Sequence, residues 1–173
     1  MQRKATWAKP QKYCGVPNFH LLDEHLSRSA QPTADGMKVL REAGFKTIIN
    51  LRNWHSDLDE IGTTGLALEE IPISAFKPNL DEVTRFLQIV SQKDRGPILV
   101  HCLHGADRTG MMCAFYRICF QDWSKEDAIE EMVEGGYGHH RKMFANLPEF
   151  IWDLDIEALK ARAGIPFVMK ACP

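Results

Sequence analysis

Residues 98–120, ILVHCLHGADRTGMMCAFYRICF, constrain the fold more than any other part of the chain. The run 98–101 reads as a short, fully apolar strand, and a strand without a polar face is covered on both sides. A polar stretch follows, and then residues 109–120 form a helix that is apolar nearly all round and therefore buried. A buried strand running into a buried helix needs a central sheet with further layers packed over it.

The rest of the chain supplies those layers. Residues 25–31 read as a strand closed by Pro32, and Thr33 then caps a helix through Ala43 that stops at Gly44. Residues 46–52 (KTIINLR) are β-rich, 53–65 are polar and turn-rich, and 67–74 (ALEEIPIS) read as another strand. Leu80, Val83, Phe86, Leu87 and Val90 recur at helical spacing, which predicts an amphipathic helix over 79–93. Ser124 and Asp127 open a helix to Glu134, the Gly135–Gly138 segment breaks it, and Pro148 starts a last helix to Ala163. Strands alternating with helices predict one α/β domain, with a mostly parallel sheet of about four or five strands flanked by helices on both faces. The expected organisation is an N-terminal arm over 1–20, the domain over 21–165 and a tail over 166–173.

Composition narrows the function classes. The 173 residues are 45% hydrophobic and 25% charged, which excludes disorder, a collagen-like repeat and a membrane-spanning bundle. Lys plus Arg is 21 against 23 for Asp plus Glu, so a bulk electrostatic grip on nucleic acid or acidic lipid is excluded. Any anion has to be recognised by a local site. The five cysteines form no CxxC pair and no zinc-type spacing, and the first twenty residues lack a signal-peptide core. Both features point to the reducing cytoplasm, with export after removal of a leader as the alternative.

The local site is HCLHGADRTG, residues 101–110, between the buried strand and the buried helix. Ligands bind at the carboxyl ends of strands in such sheets, where helix N-termini point inward. Cys102 and Arg108 are separated by five residues, enough to curl Leu103, His104, Gly105, Ala106 and Asp107 into a nest of backbone N–H groups around an anion. Arg108 adds a bidentate fork for two phosphate oxygens. The same positive field favours the thiolate of Cys102, Gly105 permits the tight curl, and the Thr109 hydroxyl can donate to the thiolate. A Walker-type loop fails because Met111 stands where its Lys belongs. A zinc site from His101, Cys102, His104 and Asp107 would crowd four ligands into seven residues. The chemistry calls for no cofactor and no metal.

This stretch resembles the signature of the cysteine-dependent protein tyrosine phosphatase superfamily, in its compact dual-specificity-like branch. SRSAQPTADGM (27–37), KTIINLR (46–52) and 116–138 extend the likeness to small bacterial and plant members, over roughly residues 16–160. The resemblance implies the fold, a phosphocysteine intermediate on Cys102, and the roles given above to Arg108 and Thr109. It also implies a proton donor for the leaving group, usually an Asp on a mobile loop after the strand corresponding to IPIS. Here that place reads Ala75-Phe76-Lys77-Pro78-Asn79, with no acid until Asp81. Asp107 is the preferred alternative, since lipid-phosphatase branches carry an Asp at this loop position; Asp81, then Asp57 and Asp59, follow.

The expected substrate is a phosphorylated protein, phosphotyrosine first and phosphoserine or phosphothreonine with it. An inositol phosphate or phosphoinositide is the alternative, and a phosphate-binding module without turnover is the second. The loop interior has no Lys, which disfavours a highly anionic substrate, whereas His104, Arg52, Lys77 and 139–142 (HHRK) can ring the mouth with positive charge. For 139–142 a solvated helix start is the plainer expectation. Trp54, Phe76 and Tyr137 are candidates for stacking on a phenyl ring, or for ordinary packing. Cys113 and Cys119, on the buried helix, read as packing residues. No nucleic-acid partner and no membrane span are expected, and oligomeric state is not legible.

Overall fold

The computed structural model describes residues 3–166. Its centre is a six-stranded sheet in the order β1-β2-β3-β6-β4-β5. The strands are β1 (Lys9–Pro10), β2 (His20–Leu21), β3 (Leu26–Ser29), β4 (Thr47–Asn50), β5 (Ala67–Glu70) and β6 (Ile98–His101). β3, β6, β4 and β5 run parallel, while β1 and β2 add an antiparallel edge. Among the described residues seven α-helices surround the sheet: α1 (Ala34–Glu42), α2 (Leu58–Ile61), α3 (Leu80–Val90), α4 (Asp107–Phe120), α5 (Lys125–Glu134), α6 (Asn146–Asp153) and α7 (Ile156–Ala163).

The apolar strand β6 is one of the two middle strands, between β3 and β4, and feeds both layers. Ile98 and Val100 point into the larger core, shared with Phe86, Phe115 and Leu147 of α3, α4 and α6. Leu99 points into the smaller core, with Met37 and Leu40 of α1 and with Ile48 of β4. Helix starts follow side-chain chemistry. The Thr33 hydroxyl accepts from the Gly36 N–H, and Asn79 with Glu82 forms a reciprocal capping box on α3.

Four expectations change. The Ala67–Ser74 run forms a regular strand only to Glu70, because Pro72 brings no N–H to the ladder, although Ile71 and Ile73 still donate to Asn50 and Leu51. The turn-rich 53–65 stretch contains the single turn of α2. The last helix is two helices, since Leu154 is extended and Asp155 starts α7 by accepting from Ala158 N–H. The stretch expected as an arm contributes β1 and part of β2, and it buries Trp7 and Ala8; strands of two residues carry no readable periodicity. Of the expected tail, all but Pro166 lies outside the described residues.

A buried ion pair holds that N-terminal stretch to the helices. Arg117 of α4 donates to Glu131 of α5 through Nε (2.8 Å) and Nη2 (3.0 Å). The same carboxylate accepts from Ala8 N–H (2.6 Å) and from the Tyr137 hydroxyl (2.9 Å). Burial would push Glu131 up, but Arg117, Ala8 and Tyr137 together hold it below its ordinary value. Glu131→Ala leaves the Arg117 charge buried without its partner, so stability should fall by about 3–5 kcal/mol. Urea unfolding of the two proteins checks this; a loss below 1 kcal/mol would show that water reaches Arg117.

Candidate active site

The C-x5-R stretch folds as the sequence predicts. Cys102 sits at the carboxyl end of β6, almost wholly buried, and the chain then curls through 103–106 into α4. The N-cap of α4 is Ala106, whose side chain offers no cap, so the first N–H groups of this long buried helix have no side-chain acceptor. An anion fits that terminus, as the macrodipole favours. Gly105 has φ +68°, and a Cβ there would lie 2.5 Å from the Ser29 carbonyl and the Ala30 nitrogen. Only glycine lets the loop press this closely on the end of β3.

The curl is fixed from behind by Arg28, a β3 residue that sequence reading did not single out. Its guanidinium is fully buried and donates to the carbonyls of Gly105 (2.7 Å) and Ala106 (3.4 Å). In a planar trans peptide the carbonyl and the following N–H point opposite ways. Holding these two carbonyls on the inner side therefore turns the N–H groups of Ala106 and Asp107 outward. Arg28 lies 3.6 Å above the Tyr137 ring, which compensates part of its buried charge. Tyr137, a candidate for stacking on substrate, is thus buried and occupied.

Arg108 is half-buried, and its Nη1 donates to the carbonyls of Leu51 (3.2 Å) and Ile73 (3.4 Å), which aims the head across the ends of β4 and the segment after β5. Thr109 is buried, and its hydroxyl has no hydrogen-bond partner among the described residues. Leu103 and His104 are exposed at the rim, and Ala106 is buried. Arg52 donates to Gln31 Oε1 (2.9 Å), while the Gln31 N–H donates to the Leu103 carbonyl, so Arg52 stands one residue away from the loop.

His101, just before the nucleophile candidate, is fully buried with Nε2 2.5 Å from Asp57 Oδ2. Burial would push Asp57 up, but His101, Gln31 and His55 hold it below its ordinary value. Asp57 thereby ties β6, Gln31 and Asn50 together beneath the loop. Among the described residues, His55, Asp57 and Glu60 form the one group whose ligand atoms could converge on a cation, within 4.8 Å of one another. The donors already on Asp57 make it a structural junction. The four residues tested for zinc are dispersed: His101 faces Asp57, Asp107 faces His139 and His140, and His104 is exposed.

Neither carboxylate expected as the proton donor is placed to donate. Asp107 is buried, with Oδ1 2.8 Å from His139 Nδ1 and accepting from His140 N–H (2.9 Å), and with Oδ2 accepting from His140 Nδ1 (2.7 Å). Burial alone would raise it, but these partners overcome that and hold it at about 2. It is an anion at neutral pH. Asp81 is 81% exposed in the first turn of α3 and accepts from Arg162 of α7. The 139–142 run is not a solvated helix start, because His139 and His140 clamp the loop through Asp107. Signals for these supports were faint: a polar LSRS strand with no free face, and a His pair after a Gly-rich break.

Since Asp107 is depressed from 3.8 in the folded chain, its contribution to stability is present above about pH 4 and is lost as pH falls through about 2. Asp107→Asn should accordingly be less stable than the parent at pH 7, with the difference shrinking towards pH 2. Denaturant midpoints across that range check this. A pH-independent difference would contradict the clamp.

The chain matches a family model described as DSP-PTPase phosphatase fused to NAD+ kinase over residues 18–144. It is 31% identical over 144 residues to the dual specificity protein phosphatase TpbA of Pseudomonas aeruginosa, covering 83% of this chain and 65% of TpbA's length. A crystal structure of P. aeruginosa TpbA in complex with pTyr superposes with TM-score 0.82 at 28% identity, covering 94% of this chain and 99% of that one. The core catalytic domain of the PP-IP phosphatase SIW14 of S. cerevisiae superposes with TM-score 0.71 at 25% identity, covering 87% and 96%. With the Cys102–Arg108 loop, the buried strand before it and the helix after it all in place, the chain belongs to the DSP-PTPase phosphatase family.

Proposed function

We propose that this chain hydrolyses phosphate monoesters of protein side chains, phosphotyrosine first and phosphoserine or phosphothreonine with it, through a phosphocysteine on Cys102. The observation that carries this reading is the loop itself. Cys102 follows a buried strand and opens the loop whose carbonyls at Gly105 and Ala106 Arg28 holds, and that loop runs into the helix carrying Arg108. In the first step the Cys102 sulfur attacks phosphorus, the ester P–O bond breaks, and the leaving oxygen takes up a proton. Arg108 and the loop N–H groups hold the equatorial oxygens, whose charge they stabilise as the bond order shifts. The Thr109 hydroxyl, buried and without a hydrogen-bond partner among the described residues, supports the sulfur as it becomes the leaving group of the second step. Water then cleaves the S–P bond. Thiolate, guanidinium and backbone supply this chemistry without a metal or cofactor.

The rim supports an aryl ester. Phe76 and Trp54 are exposed large aromatics on segments after β5 and β4, and Leu103 is an exposed apolar residue on the loop. Part of the cationic ring is already engaged, with Arg141 paired to Glu134 and the Arg52 guanidinium held by the Gln31 amide. An inositol phosphate is the second reading, favoured by His104 and Lys142 at the surface and by the likeness to a PP-IP phosphatase. No helix among the described residues is long and apolar enough to cross a membrane. A reducing compartment suits the reading, since oxidation of the Cys102 sulfur would end turnover.

Purified protein should release phosphate from a phosphotyrosine peptide faster than from inositol hexakisphosphate, and Cys102→Ser should release from neither. Faster release from the inositol would transfer the assignment to the second reading. Equal rates for wild type and Cys102→Ser would end both.

A further inference from the structure

The proposed reaction leaves one position unfilled, the donor of the leaving-group proton. Residues 75–79 hold no acid, Asp107 is an ionised acceptor inside its clamp, and Asp81 is turned to Arg162. We propose that the His140 imidazole, oriented by Asp107, is the proton donor to the leaving oxygen. This rests on the reading of Cys102 as the nucleophile.

Geometry singles out this ring. Its Nδ1 donates to Asp107 Oδ2 at 2.7 Å while its own backbone N–H donates to Oδ1 at 2.9 Å. Two bonds from one residue to one carboxylate fix both the ring plane and the tautomer, leaving Nε2 as the free nitrogen. Asp107 directly precedes Arg108, so the ring is tied to the residue next to the phosphate fork. His140 is 44% exposed, while its neighbour His139 is 1% exposed and closed against the same carboxylate. The groups around the ring are few. His104 of the loop lies 5.5 Å away between centroids, Phe144 lies 6.2 Å away edge-on, and Phe144 in turn packs on Phe76. The charged and titratable groups nearby are thus Asp107, His139 and His104, with Arg141 drawn off to Glu134. Asp107 is the one anion in this set.

The proton balance closes over one turnover. As Cys102 displaces the ester, Nε2–H of the imidazolium passes its proton to the departing oxygen and the ring becomes neutral. In the second step the neutral ring takes a proton from the attacking water, the S–P bond breaks, and phosphate leaves with the imidazolium restored. Asp107 is a positioning residue in this scheme.

The test compares kcat/KM on p-nitrophenyl phosphate and on phenyl phosphate, since the poorer leaving group needs the proton more. The variants are His140→Asn, which keeps a donor near Nδ1, and His140→Gln, which keeps one near Nε2; neither amide can give up a proton. Both should lose about 10²-fold or more on phenyl phosphate and less than about tenfold on p-nitrophenyl phosphate, with the alkaline limb of the pH profile gone. Asp107→Asn should share the selective loss on phenyl phosphate, which a purely structural role would not produce. Equal losses on both esters, or a retained alkaline limb, would overturn the proposal, as would the selective loss appearing in Asp81→Asn and not at His140. A wild type without phosphocysteine formation on either ester would remove the nucleophile reading and this one with it. Normal turnover unchanged by both His140 variants would remove this one alone.

Discussion

The buried guanidinium of Arg28 holds the phosphate loop in shape, and much of the surrounding structure serves to make that burial tolerable. An unpaired cation in a protein interior costs several kcal/mol. Here it is offset by the carbonyls of Gly105 and Ala106 on one side and by the Tyr137 ring on the other. Tyr137 is itself held by Glu131, which accepts from Arg117 and from the N-terminal stretch at Ala8. One chain of contacts thus runs from the edge of the sheet through two helices to the back of the nest. Loop carbonyls satisfied from within leave their N–H groups facing the ligand, so the anion site is prepared before any anion arrives.

A second chain of contacts organises the front of the site. Asp107 ends the loop and begins α4, and it fastens the 139–140 segment through both histidines. Asp57 does a parallel service underneath, joining His101, Gln31 and Asn50, and through Gln31 it sets Arg52 against the rim. Both carboxylates are buried and accept hydrogen bonds from more than one group. That is the electrostatic opposite of what a proton donor needs and is well suited to orienting other groups. The two aspartates divide the support of one short loop between them.

How much of this was legible in the sequence follows from the range of the interactions. The buried strand and helix on either side of HCLHGADRTG, the Thr33 and Asn79 caps and the C-x5-R loop are local, and their residue types announce them. The β1 and β2 strands are too short for periodicity, and the break at Asp155 sits in a run that otherwise reads as one helix. Arg28, Glu131 and Asp57 reach Gly105, Ala8 and His101 across large sequence separations, so no window along the chain displays these partners. Asp107 illustrates the limit most clearly. Its position beside Arg108 suggested a phosphate-facing acid, and only the fold brings His139 and His140 onto it.

The most direct test is a covalent one. Wild-type protein mixed with p-nitrophenyl phosphate and quenched in neutral detergent within the first turnover should carry one phosphoryl group. Peptide mass spectrometry should place it on the Cys102 sulfur, and the bond should survive alkali but hydrolyse in mild acid, as a thiophosphate monoester does. A phosphoryl group on any other residue, or turnover with Cys102 unmodified throughout, would contradict the assignment of this loop as the seat of a phosphocysteine mechanism.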